Sequence, residues 1–255
     1  MNRIYLYILF TIVYQSIIFA QKSPLTTHNN TVWMSLATKV YFTDQFYFAN
    51  EFHWRRADWI LAPQQIVERP SLNYKIADFV TGSVGYTFVL NDPYGDFPSP
   101  LQTKEHNIWE QFELKHKLKS LTFKHRYRLE HRFVNRVVKE ANESYHLDGF
   151  QFQQRFRYRV TANVTLKKFE KKNSKLFVKV FDEIFLGLNS NNLAAKLFNQ
   201  NWLYLGIGYA FNSKGQIQLG YMHQVLQRNA ALYEGNHILQ LSFSYTFDLK
   251  GLFKK

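Results

Sequence analysis

Bulky apolar residues and polar residues alternate along most of the chain. In the segment 123–133, every second residue from Phe123 is apolar or a histidine, and the residues between them are Lys124, Arg126, Arg128, Glu130 and Arg132. A period of two is typical of a β-strand whose two faces meet different surroundings. The pattern therefore predicts strands with one apolar face and one strongly ionic face.

Eleven segments carry this alternation, at about residues 32–42, 45–57, 65–76, 79–90, 104–118, 120–133, 149–166, 175–187, 201–211, 215–227 and 236–248. Short connections such as "KS" alternate with longer ones such as "NDPYGDFPSPLQTK" and "VNRVVKEANESYHLDG". We therefore predict an all-β fold, a single antiparallel transmembrane β-barrel of about 12 strands (10–12), with short periplasmic turns and longer extracellular loops. Bacterial single-chain barrels have an even number of strands. Because the alternation gives eleven segments, a twelfth strand would come from residues 21–31 or from a segment that the alternation does not separate.

The first twenty residues have the features of a secretory signal peptide. Arg3 precedes an uncharged run from residue 4 to residue 19, and Ala20 is a suitable residue before a cleavage point. We predict a signal peptide at 1–20 and one barrel domain at 21–255, and the alternative is an uncleaved N-terminal anchor helix. An exported barrel belongs in the bacterial outer membrane, whereas the rival fold is an exported soluble β-sandwich.

Composition narrows the classes of function. The net charge is +13, aromatic residues make up 18% of the chain, and cysteine is absent, which excludes disulfides, thiolate metal sites and a cysteine nucleophile. Export argues against nucleic acid as the partner of this basic chain. The expected partners are outer-membrane lipid, lipopolysaccharide and a small anionic solute, and no cofactor is predicted.

The order of several motifs is similar to a known family. "NEFHWRRADW", "QQIVERPSLNYKI", "EQFELKHKL", "FKHRYRLEHRF", "QRFRYRV", "FDEIF" and "NQNWLYLGIGYAF" follow one another over essentially the whole mature chain. This order resembles the uncharacterised family known as domain of unknown function 2490, frequent in Bacteroidota. The resemblance implies an outer-membrane β-barrel, and it implies no activity.

The ionic faces of the predicted strands supply the candidate site. The predicted lumen-lining residues are Glu51, His53, Arg55, Glu113, Arg126, Arg128, Glu130, Arg132, Arg155, Arg157, Arg159 and Glu183. With Lys75, Lys115, Lys117 and Lys124, the predicted lumen holds eleven basic and four acidic residues, an excess of seven positive charges. Such a lumen would be a narrow pore or binding site for small anionic solutes, or else a packed network of arginine–glutamate pairs.

Catalytic and metal sites have weak support in the sequence. The nine histidines show no metal-binding spacing, and Asp182 and Glu183 alternate onto opposite strand faces. Ser144, His146 and Asp148 share one predicted loop, which is a weak signal for a hydrolase. We predict no catalytic and no metal-binding residue, and the alternatives to a pore are a lipid-modifying enzyme (acyl hydrolase or deacylase) and a purely structural membrane protein.

Overall fold

The computed structural model describes residues 25–188, 197–212, 214–228 and 232–252. The predicted signal peptide at 1–20 lies outside these residues. None of the helices within the described ranges has the length and apolar character needed to cross a membrane.

Eleven β-strands make up almost all of the described structure. They are β1 Leu25–Tyr41, β2 Phe46–Ala57, β3 Ala62–Ala77, β4 Val80–Asn91, β5 Thr103–Leu118, β6 Leu121–Lys139, β7 Tyr145–Phe169, β8 Ser174–Gly187, β9 Phe198–Phe211, β10 Gly215–Gln227 and β11 Tyr233–Asp248. Short 3-10 turns at Glu170–Lys172 and Lys250–Leu252 follow β7 and β11. Every predicted strand is present, and most extend beyond the predicted bounds.

The strands close into a barrel in which each strand pairs with its neighbours in sequence. The ring closes through β1 and β11, which run parallel from the Leu25–Tyr233 pair to the Tyr41–Asp248 pair. In an up-and-down ring an odd number of strands makes the first and last strands parallel. The described residues therefore form eleven strands, which is within the predicted range of 10–12. The twelfth strand is absent from them, because residues 25–31 lengthen β1 instead of forming a strand of their own.

The two ends of the barrel differ in their connections. One end carries the turns 42–45, 78–79, 119–120 and 170–173, and we call it the short-turn end. The other, the long-loop end, carries the connections 58–61, 92–102 and 140–144, and β8 and β10 also end there. The segment 134–149, predicted as a loop, is instead mostly an extension of the β6–β7 hairpin, with a bulge at Asn135/Val137 and a connection of only residues 140–144.

Alternation along the strands separates an apolar outer face from a mixed inner face. Large apolar side chains are exposed on the outside, among them Leu72, Tyr74, Ile76, Val84, Ile108, Phe112, Leu205, Ile207, Leu219, Leu241 and Phe243. The buried side chains point inward and include both aromatic rings and charged groups. The core of the protein is therefore the barrel lumen.

Candidate functional site in the barrel lumen

The inner face carries a large excess of positive charge. All twelve residues that the sequence assigns to the lumen point inward. Between the two rims, the inward basic residues are Lys39, Arg55, Arg69, Lys75, Lys124, Arg126, Arg128, Arg132, Arg155, Arg157, Arg159 and Lys179, and the inward acidic residues are Glu51, Glu105, Glu113, Glu130 and Glu183. Twelve basic groups face five acidic groups, an excess of seven, and the pair of Arg228 with the buried Glu234 at the long-loop rim adds one charge of each sign.

Some members of this set differ from the prediction. Lys115 and Lys117 follow the inward alternation of β5, but both are exposed at the short-turn rim. Lys39, Arg69 and Lys179 are inward basic residues that the sequence analysis missed. The same analysis also missed Glu105, which faces inward on β5 with Glu113.

Strand register brings the two arginine ladders side by side. Arg126 lies opposite Arg159, and Arg128 lies opposite Arg157, on the paired strands β6 and β7. Like charges directly opposite each other destabilise a sheet unless other groups compensate them. Two carboxylates compensate these charges. Glu130 on β6 lies opposite Arg155 on β7, and Glu183 on β8 lies opposite Arg159 on β7.

Glu183 is the centre of this network, and its side chain is fully buried. Its carboxylate accepts hydrogen bonds from Arg126 and Arg159, and Arg157 Nη2 lies 2.9 Å from Glu183 Oε1. Three guanidinium groups therefore share one carboxylate.

Glu130 forms the second node. Arg155 Nη2 lies 2.6 Å from Glu130 Oε2, and Arg157 Nη1 donates to Glu130 Oε1 at 2.6 Å. Arg157 thus bridges the two buried carboxylates. Together with Glu183, these side chains form an ionic layer, defined here as Arg126, Glu130, Arg155, Arg157, Arg159 and Glu183.

An aromatic wall borders this ionic layer. A buried cluster comes from β1 and β8–β11 and consists of Trp33, Phe181, Phe185, Trp202, Tyr204, Met222 and Ile238. The guanidinium carbon of Arg157 lies 4.2 Å from the Phe185 ring centre and 5.6 Å from that of Trp202. From the other side, the Arg55 guanidinium lies 5.7 Å from the same Trp202 ring. Side chains from β2, β7 and β9 therefore meet at mid-height and narrow the lumen.

Inward glycines make room for this wall. A Cβ atom on Gly220 would lie 2.5 Å from the Tyr204 ring, and one on Gly208 would lie 2.3 Å from the Phe177 ring. Such distances are below normal carbon contacts, so any larger residue would have to displace a ring. The motif "YLGIGYAF" thus alternates inward glycines with outward apolar residues such as Leu205 and Ile207.

Two cavities lie on either side of the narrow region. The long-loop cavity measures about 470 Å³ and is lined by six arginines, Arg55, Arg69, Arg132, Arg155, Arg157 and Arg228. The short-turn cavity measures about 580 Å³ and is lined by Lys39, Lys168, Lys175 and Lys214, with Glu170 as its one acidic lining residue in the described part of the chain. Basic side chains outnumber acidic ones in the described lining of both cavities.

The histidines do not assemble a catalytic or metal site. On the outer face, His125 contacts the Tyr158 hydroxyl at 2.8 Å, and His131 contacts Glu110 at 3.4 Å. In the β6–β7 hairpin, His146 pairs with Glu140 rather than with Ser144. Over the described ranges, no histidine hydrogen-bonds a serine or threonine hydroxyl, and no group of three or more potential metal ligands occurs.

Comparison with known proteins identifies the family. The family model described as "Protein of unknown function (DUF2490)" matches residues 30–234, so the chain belongs to this family. No curated protein matches the chain. A solved structure titled "NanC porin structure in rhombohedral crystal form" is similar at 11% identity and a TM-score of 0.42, covering 80% of this chain and 94% of its own.

Proposed function

We propose that this member of the DUF2490 family is an outer-membrane β-barrel whose lumen binds small anionic solutes and restricts their passage. Closure of the barrel pairs every strand with two neighbours, which leaves no open sheet edge for lipid to satisfy. The outer face presents exposed apolar side chains such as Ile108, Leu219 and Leu241. Together with the export signal expected at residues 1–20, these features support insertion in the outer membrane and contact with lipid and lipopolysaccharide.

The excess of seven inward positive charges is the observation that carries the anion proposal. Buried charge without a partner is costly, so a sealed dry network of this composition would be unfavourable. A hydrated lumen, or one that binds anions, relieves that cost. Charged linings of one sign also attract counter-ions and set the selectivity of a pore.

The ionic layer determines how freely a solute would pass. Arg157 contacts Glu130 and Glu183 through its two terminal nitrogens, and the Phe185 ring of the neighbouring strand β8 packs against its guanidinium group. We infer a narrow passage with low conductance rather than a wide aqueous channel. The two cavities then act as anion-binding vestibules above and below the narrow region.

Planar-bilayer recording of the purified protein tests this proposal. Under a salt gradient, we expect small conductance steps and a reversal potential that indicates anion preference. Lys39 and Lys179 form no ion pair with any described residue, so the double variant Lys39→Gln/Lys179→Gln should reduce anion preference without leaving a carboxylate unpaired. The double variant Lys115→Gln/Lys117→Gln removes the same number of charges at the exposed short-turn rim and is the control.

Cation preference in the wild-type protein would contradict the proposal. So would an unchanged reversal potential in the lysine double variant, because the lumen charge would then play no part in selectivity.

A further inference from the structure

One arginine of the long-loop cavity differs from the other five in having no carboxylate partner in the described part of the chain. The other five all have one, through the pairs Arg69–Glu51, Arg132–Glu105, Arg155–Glu130, Arg157–Glu130 and Arg228–Glu234. Arg55 donates from Nη1 to the Gln65 side-chain oxygen, and its Nε has no acceptor. Only 7% of Arg55 is exposed, so this charge is both buried and uncompensated.

The Arg55 guanidinium is held in a defined position. Its central carbon lies 3.7 Å from the Trp33 ring centre, and Trp33 Nε1 in turn donates to Gln64 Oε1 at 2.8 Å. Stacking on the ring face leaves the N–H groups in the guanidinium plane available for an acceptor. Arg55 is therefore preorganised for an oxyanion, since a planar fork of donors matches a carboxylate.

The surrounding charges select the class of anion. Asp92, Glu105 and Glu130 also line the cavity and would repel a second negative charge on the solute. Side-chain amides dominate the rest of the polar lining, including Gln64, Asn91, Asn107, Asn199, Gln200 and Gln224. Amides donate and accept hydrogen bonds, so they suit the neutral polar groups of a hydrophilic solute.

We propose that the long-loop cavity binds a small hydrophilic organic monocarboxylate, with its carboxylate on Arg55. This inference rests on the proposed function and adds to it a specific residue and a solute class. The anion supplies the counter-charge that Arg55 lacks, and the amide lining contacts the remainder of the molecule. The stack on Trp33 places an intrinsic fluorophore at the site.

Gluconate and glucose are suitable probes, because they have similar size and polar groups but differ in charge. Binding to the intact detergent-solubilised barrel is measured by isothermal titration calorimetry, with tryptophan fluorescence as the second readout. We expect gluconate to bind more tightly than both glucose and inorganic phosphate. Arg55→Gln should weaken gluconate binding by about tenfold or more, because a charge-assisted hydrogen bond is lost.

Two further variants keep the test decisive. Lys117→Gln removes a positive charge at the short-turn rim and should leave gluconate affinity unchanged. Arg55→Lys retains the charge but not the planar fork, so it should weaken binding even if Arg55→Gln does not yield a folded barrel. Heat-modifiable gel mobility reports whether each variant is folded.

Each contrary outcome has a separate meaning. Wild-type affinity in both Arg55 variants would overturn the assignment to Arg55 while leaving anion preference in bilayers intact. Tighter binding of phosphate, or equal binding of glucose, would overturn the monocarboxylate class. Absence of gluconate binding to the wild-type protein would overturn the inference as a whole. The proposed function is contradicted only by the reversal-potential results described above.

Discussion

Replacing Glu183 with Gln should destabilise the barrel more than replacing Arg157 with Gln. The two side chains contact each other with N–O distances of 2.9 Å, and both are almost completely buried. If only the contact between these two side chains mattered, both substitutions would lower the free energy of unfolding by similar amounts. The costs differ because the lumen holds more arginines than carboxylates.

The partners that remain after each substitution set the magnitudes. Glu183→Gln removes the one carboxylate that Arg126 and Arg159 contact, so buried cations lose their counter-charge, at a cost of about 3–5 kcal/mol. Arg157→Gln is milder, because Glu130 keeps Arg155 at 2.6 Å and Glu183 keeps two other arginines. Its cost should be nearer ~1–3 kcal/mol, the range for buried hydrogen bonds lost to a charged group.

Urea unfolding of the barrel in lipid vesicles, followed by tryptophan fluorescence, measures both effects as shifts in midpoint at constant slope. Glu143→Gln is the matched control, because Glu143 pairs with Lys139 in the exposed β6–β7 connection and should contribute nothing measurable. Equal destabilisation by the two lumen variants, or a larger effect of Arg157→Gln, would contradict this prediction. It would mean that losing a carboxylate shared by several arginines costs no more than losing one arginine.

Three further predictions concern the membrane face, the lumen packing and export. Leu241→Arg on the outer face should cost about 2–4 kcal/mol in vesicle unfolding, whereas Gln216→Arg, which lines the short-turn cavity, should cost clearly less; equal costs would mean that the faces are misassigned. Gly220→Ala should destabilise by ~1–3 kcal/mol by displacing the Tyr204 ring, and wild-type stability would contradict that contact. N-terminal sequencing of the outer-membrane fraction should begin at Gln21, and recovery from the soluble periplasm would contradict export to that membrane.

Strand positions and faces were predictable because one local rule governs most of the chain. Alternation in β6 and β7 separates lipid-type residues from arginines without ambiguity, and both ladders lie inward. The same alternation also points to two inward residues that the sequence analysis missed. Glu105 keeps step with Glu113 along β5, and Arg69 keeps step with Lys75 along β3, so both were accessible from the sequence.

Other features depend on contacts that local patterns do not encode. On β8 the inward residues Phe181 and Phe185 flank Glu183, while Val180 and Ile184 face outward, so both faces are apolar and the period of two disappears. The parallel closure of β1 on β11 depends on the parity of the strand count rather than on any residue. Which arginine lacks a carboxylate depends on side chains from other strands.

Inward aromatic rings, two from the aromatic wall and Trp109 from β5, explain how the lumen accommodates an excess of arginine. Arg55 stacks on Trp33, Arg128 on Trp109 and Arg159 on Phe181, with 3.7, 3.8 and 4.1 Å between the guanidinium carbon and the ring centre. A desolvated cation over a ring gains about 2 kcal/mol, which offsets part of the cost of burial.

Stacking satisfies the faces of the guanidinium groups but not their edges. Arg55 Nε, Arg126 Nε and Arg128 Nη1 are buried donors that find no acceptor among the described residues. Because the aromatic rings are neutral, these N–H donors still lack a negatively charged acceptor even when every guanidinium group stacks on a ring. Under the proposed function, an anion in the long-loop cavity would supply the missing acceptor at Arg55, which lines that cavity.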